Sequence, residues 1–467
     1  MHIELNGLAE ARGLGAREGA AVADLVNVLD ANQAKNATKK RYYEGKVRPK
    51  TLGISIPDNV RLDVSCCWPE KAVTSLRNRS VFDGFVGGDA VDELSRIVRR
   101  THLTSKYVKG VTSELVHGPV FGTVAAGADG LSRVNFHSAE TASALWDNDL
   151  ERISCGLAVL DGRKSNIDLT YKPSTVALYM DDATWVMRYS DVTRSWTAEK
   201  RPHAMGRPMM EPMIYRPDVD KPFGRSRITP AVMTLTDDYL REMERIEIQS
   251  EFYTNPQRYA SGLSQDQLEA IVKDKWTFVT GSIMGFTDNP VTGANPVVGQ
   301  FQQMTMTPHI DYINSLANQF SGATNIPVSD LGVVQSTYIS AEAVQTAASN
   351  LCIDAETLNA GNAVALEAMG MMALAVDRNV PLDALTEGDR AAMAHFRDPR
   401  KPSLVAQADA MVKWASVDPG IVRTDYFREQ MGADRADIER MDADIARAAG
   451  LGYLAEFEEG YGEGEEA

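Results

Sequence analysis

The chain has 467 residues, 44% of them apolar and 24% charged, which is enough for more than one buried core at roughly 150 residues per domain. Its 64 acids outnumber 48 bases, and the formal charge of -16 excludes a protein that grips nucleic acid tightly through its phosphates. There is no run of about 18 apolar residues and no basic leader ahead of an apolar stretch, so neither a membrane span nor a secretory start is expected.

From Gly19 to Tyr43 the apolar residues Val22, Leu25, Val28 and Leu29 recur at helical spacing, and Gly45 supplies a stop. A connector bounded by Pro49 and Pro57 leads to a second helix, Trp68 to Ser80, with Ala72, Val73 and Leu76 on one face. Between Gly118 and Tyr189, runs rich in β-branched and aromatic residues start at Val120, Ile153 and Thr184. Turn signals at Asp129-Gly130, Asp161-Gly162 and Asp181-Asp182 separate them, which predicts an α+β lobe built on hairpins. Met205 to Pro222, rich in Pro and Met, reads as a connector.

Thr229-Pro230 then opens a helix, with Thr as N-cap and Pro at the first helical position. Its stripe is Val232, Leu235, Tyr239, Met243 and Ile246, and it runs to about Tyr253, before Asn255-Pro256. Gln257 to Thr305 forms a smaller unit with short strands around Trp276, Phe278 and Val279. A second Thr-Pro pair, Thr307-Pro308, starts another helix with Ile310, Ile313, Leu316, Ala317 and Phe320 inward and Gly322 as its stop. Asn325 to Ile339 lacks periodicity and reads as an ordered loop. Ser340 caps an Ala-rich helix reaching Val376, about 35 residues and on the order of 50 Å long. Helices follow at Pro402 to Ser416 and Arg423 to Ala449, and past Gly450 a Glu/Gly tail reads as disordered. The fold class is α+β, in several domains.

Chemistry finds little foothold. Gly13, Gly15 and Gly19 are spaced one residue too long for a dinucleotide fingerprint, and no strand precedes them. No phosphate-binding G-x-x-x-x-G-K-[ST] loop, H-E-x-x-H or G-x-S-x-G elbow is present. The seven histidines are dispersed, and His117 reads as a packed or turn residue. Of the four cysteines, the adjacent Cys66 and Cys67 read as buried thiols. No catalytic residue, cofactor or metal is expected, and the chain is read as not an enzyme.

Six segments stand in order along the chain: Arg41 to Gly45, Trp68 to Val73 running on to Asp83-Gly84-Phe85, Val116 to Val124, Phe223 to Pro230, Glu251 to Arg258, and Tyr338 to Ala343. Together they resemble the portal proteins of tailed bacteriophages of the siphovirus type. The resemblance implies a multi-domain portal fold. Its parts are an α+β wing (1–227), two stem helices (228–253 and 307–324), a small α/β clip (254–306), a tunnel loop (325–340), a long wing helix (341–380), a helical crown (381–450) and an acidic tail (451–467). It further implies a homo-oligomer, a dodecameric ring at one capsid vertex of the virion, made in the host cytoplasm. Double-stranded DNA would pass through without sequence preference, and the partners would be the packaging ATPase (large terminase), a head-tail adaptor, the major capsid protein and a scaffold. A capsid- or neck-associated structural protein without a DNA channel is the alternative.

For a channel of this kind, carboxylates and amides with few bases keep phosphate binding weak. Asp311, Asn314, Asn318 and Gln319 on one helix, or Asp237, Asp238 and Glu242 on the other, are candidates for the lumen face; outer solvated or inter-subunit positions are the alternative. In the loop, Val333, Val334, Gln335 and Tyr338 are the candidates nearest DNA, with packing of Val333 and Val334 against the long helix as the alternative.

Overall fold

The computed structural model describes residues 2–48, 62–164, 170–254, 258–273, 288, 293, 295–301, 305–332, 341–400, 404–433 and 437–448. The first helix, α1 (Ala16–Tyr43), turns Val22, Leu25 and Leu29 inward, and Gly45 at φ +63° ends it by letting the Lys46 N–H return to the Arg41 carbonyl at 2.9 Å. Ahead of it, β1 (His2–Ile3) is stapled by Gln33, whose side chain accepts from the Ile3 N–H and donates to the Ile3 carbonyl. Next come α2 (Trp68–Arg77), β2 (Phe82–Val86), α3 (Val91–Thr101) and α4 (Leu103–His117). The helices α3 and α4 meet at His102, in the left-handed region at φ +53°.

Strands β3 (Pro119–Ala126), β4 (Ser132–Ser138), β5 (Ala142–Asp147), β6 (Arg152–Lys164), β7 (Thr170–Tyr179), β8 (Ala183–Ser190), β9 (Ser195–Pro202) and β10 (Met210–Ile214) follow. They form two sheets: an antiparallel β5-β6-β7-β8-β9 run with β1 added parallel to β7, and a three-stranded β10-β3-β4 sheet. Two expectations are corrected here. Asp161-Gly162 is a register irregularity inside β6, where the strand continues to Lys164. The stretch 205–222 contains β10, which pairs with β3 and buries Met209, Met210 and Met213, so these methionines are core residues.

Beyond lie α5 (Pro230–Thr254), β11 (Arg258–Ser261), α6 (Gln265–Lys273), β12 (Val297–Gln300), α7 (Thr307–Thr324) and the 38-residue α8 (Ala341–Arg378). The Thr229 hydroxyl accepts from the Val232 N–H at 3.3 Å, the cap its sequence predicted. At the second pair Thr307 is itself helical and Met306 takes the cap position; the helix passes Gly322 and stops at Asn325, φ +57°. After α8 come α9 (Glu387–Arg390), β13 (Met393–Phe396), α10 (Leu404–Val417), α11 (Asp425–Gln430) and a last helix over 437–448.

Two apolar clusters carry the body. The smaller joins α1 to one face of the large sheet through Leu25, Leu29, Leu157, Val176, Leu178 and Met187. The larger gathers α2, α4, β2, β3, β10, α5, α7 and α8 around Trp68, Phe85, Tyr107, Phe121, Phe320 and Leu366. In α8, Gly370 allows close approach: a Cβ there would stand 2.9 Å from the Phe85 ring.

Candidate functional site

The feature that sets this chain apart is the pair α5 and α7, which brackets the small strand unit. Arg227, just ahead of α5, donates to the carbonyl of Thr324, the last residue of α7, whereas His309 in the first turn of α7 meets Glu242 well along α5. The two helices are therefore antiparallel neighbours. Trp68 at the start of α2 wedges against both, its ring 4.4 Å from that of Tyr239 on α5 and 5.2 Å from that of Phe320 on α7. Together with buried Val232, Leu240, Leu316 and Ala317, this seats the body-proximal half of the pair in the larger core.

The acidic candidates divide. Asp237 is buried and accepts from the Tyr42 hydroxyl at 2.8 Å; burial, then that hydrogen bond, pushes the Tyr42 pKa upward. Glu242 is buried too, held by His309 Nδ1 and by Arg245 at 3.0 Å. Half-buried Asp238 pairs with Arg241 one turn on. The idea that Asp237 and Glu242 face a lumen is corrected: they join the helices to the body and to each other. On α7, by contrast, Asp311, Asn318 and Gln319 are exposed and Asn314 is half-buried, opposite the inward Leu316, Ala317 and Phe320. Ile310 was expected inward and is instead exposed, beside exposed Tyr312. Val333, Val334, Gln335 and Tyr338 lie outside the described residues, as does the strand expected around Trp276.

Between the helices, β11 and β12 pair antiparallel, and the tilted rings of Tyr259 and Phe301 lie 5.2 Å apart. Leu268, Val272, Val297 and Val298 stay exposed, and none of this unit's described residues is buried. A pair of strands is marginal alone in water.

The remaining unusual titratable groups are structural. Glu114 on α4 is wholly buried, accepts from Asn362 of α8 at 2.9 Å and is pushed up to about 8 by burial. His117 is held down at about 3 by burial and by Lys39 and Lys40; Lys39 donates to its carbonyl at 2.9 Å and so caps α4. Gly13 approaches β9 so closely that a Cβ would lie 2.7 Å from the Ala198 oxygen, and Gly15 caps α1, which accounts for both glycines without a nucleotide. Among the described residues no group of three or more His, Cys, Asp or Glu is placed to hold a metal ion, and no helix is long and apolar enough to cross a membrane. All four cysteines are free; Cys67 is exposed, contrary to expectation. Sequence reasoning missed the Trp68 wedge and the Glu242–His309 link, whose only signals were an aromatic at the start of α2 and polar residues between two apolar stripes.

No family model matches the chain. It is 24% identical over 455 residues to the portal protein of Mycobacterium phage D29, covering 92% of this chain and 90% of that one. It is equally similar to the portal protein of Mycobacterium phage L5, over 92% and 89% of the two chains. Among solved structures, a chain from the neck of a native GTA particle, computed with C12 symmetry, aligns with 78% of this chain and 89% of its own length at 13% identity and a TM-score of 0.43. The similarity to the portal proteins of these two phages thus runs through nearly the entire length of the chain.

Proposed function

We propose that the chain is the subunit of a ring-shaped channel at one capsid vertex, through which double-stranded DNA is packaged and ejected and to which the tail attaches. The observation that carries this reading is the antiparallel pair α5 and α7 around a small strand unit, in a chain similar to portal proteins across 92% of its length. In this reading 1–227 and the long helix (341–380) form the wing, 228–253 and 307–324 the stem, 254–306 the clip and 325–340 the tunnel loop. The crown is best restricted to 404–448, because β13 pairs with β2 and Ala392 packs in the larger core.

The ring is a homo-oligomer, dodecameric in this proposal. The packaging ATPase and later the head-tail adaptor engage the clip, whose exposed Tyr259, Leu268 and Val297 need cover. The major capsid protein surrounds the wing. The lumen face is the exposed polar side of α7, Asp311, Asn314, Asn318 and Gln319, which offers phosphates no cation and so lets DNA slide. Electron microscopy of the purified protein tests the ring: closed rings with a hole wide enough for duplex DNA are expected, and particles that never exceed monomers overturn it. Replacing the four α7 residues by Lys tests the lumen face, with packaged DNA per particle expected to fall; unchanged packaging would remove α7 from the channel wall.

A further inference from the structure

We infer that Arg227 and Asp354 form a joint that sets the direction in which the α5–α7 pair leaves the body. This deepens the channel reading and rests on it for its biological meaning, though not for its test. Arg227 stands three residues before α5, and its side chain is only 3% accessible. Its guanidinium donates from Nε to the Ala72 carbonyl on α2 at 2.5 Å, from Nη1 to the Tyr215 hydroxyl at 2.7 Å and to Asp354 at 3.4 Å, and from Nη2 to the Thr324 carbonyl at 2.6 Å. One planar group thus holds the root of α5, the end of α7, the body helix α2 and the long helix α8. Asp354 on α8 gathers the same elements from the other side. It accepts from Asn325, the left-handed residue that ends α7, and from Arg216 in the segment after β10, each at 3.0 Å.

The division of labour follows from the physics. Apolar contacts around Trp68 hold the pair against the body but are non-directional. The fork of an arginine has fixed donor directions, and a lysine cannot reproduce them. A buried ion pair adds little net stability over apolar filling of the same volume, so its contribution here is a defined orientation. Arg227 and Asp354 are positioning residues, acting on whatever lines the distal part of the pair.

The test uses the full chain with Cys67→Ser, spin labels at Glu247→Cys on α5 and Val364→Cys on α8, both exposed sites, and labelled protein diluted into unlabelled protein. The distance between the labels is read by pulsed electron spin resonance. The parent should give one narrow distribution. Asp354→Asn, which keeps the shape, and Arg227→Lys, which keeps the charge, should each broaden or shift it while circular dichroism stays native. Arg99→Ala, which removes an exposed ion pair outside the joint, should leave it narrow, and Asp354→Glu should recover part of the parent width. An unchanged distribution in natively folded Asp354→Asn overturns the joint, even where Arg227→Lys fails to fold. Absence of rings in the parent would instead sink the channel reading and leave the spin-label result standing.

Discussion

The body and the two outlying units of this molecule solve the problem of stability differently. Around Trp68, Phe85, Tyr107 and Leu366 a single apolar cluster ties together elements from Tyr42 to Ala392. The strand unit between α5 and α7 has no buried side chain among its described residues, and in 404–448 Met411 and Ile438 alone among the described residues are buried apolar ones. Those units display Tyr259, Val297, Phe301, Val412, Trp414 and Val417 to solvent. Among the described residues, then, the body buries its large apolar side chains while the two units leave most of theirs exposed.

The comparison breaks most visibly at the wedge. Trp68→Ala should cost about 3–5 kcal/mol in denaturant unfolding, because it vacates contacts to both helices at once. An effect no larger than that of a surface substitution would mean that the pair is not seated in the body's core. The next effect is pH-dependent. Glu114, raised from 4.5 to about 8, keeps its proton in the folded chain over a range where the unfolded chain has lost it. Its contribution to stability is therefore full at low pH and is lost as pH rises from about 4.5 to about 8. Glu114→Gln should remove that slope, so its stability relative to the parent should grow through this window, by on the order of a few kcal/mol in total, and then level off. Parallel stability curves for the two proteins would place an ordinary carboxylate at this position.

His309→Ala should cost roughly 1–2 kcal/mol by removing one of two partners from buried Glu242, with faster amide exchange along 307–324 as the readout. The smallest effect belongs to the far edge of the body, where Arg99 on α3 meets Glu439 of the last helix at 2.5 Å with both side chains largely exposed. Arg99→Ala should cost about 0.2–1 kcal/mol and render cleavage of 404–448 by proteases less dependent on salt. A larger loss would make this ion pair a principal attachment of the C-terminal helices.

What the sequence shows well are features with local causes. Thr229-Pro230 opens α5 because a cap and a proline act within a turn. Several of the failures have distant causes. Helix α4 contains Gly110 and several β-branched residues, and its stripe of Leu103, Tyr107, Val111 and Leu115 becomes decisive only against α2, α8 and the β-sheet. Asp161-Gly162 carries a turn signal that the β7 partner overrides by absorbing it as a bulge. The acidic residues of α5 could not be sorted in advance: Asp237 finds its donor 195 residues earlier and Glu242 finds His309 67 residues later. The polar face of α7 was legible, since its apolar face follows from spacing alone.

The pairing of β13 with β2 also bears on synthesis. Asp83 and Arg397 lie 314 residues apart, and Phe396 covers Phe82 and Tyr107 with ring separations of 5.7 and 5.8 Å. A ribosome adding roughly 5–20 residues per second needs on the order of tens of seconds between these points, and throughout that interval the aromatic floor of the body lacks its lid. Throughout that interval α5, the strand unit, α7 and α8 are made before the strand that completes the body. The body therefore closes only once a four-residue strand that follows its other elements in the chain has been made.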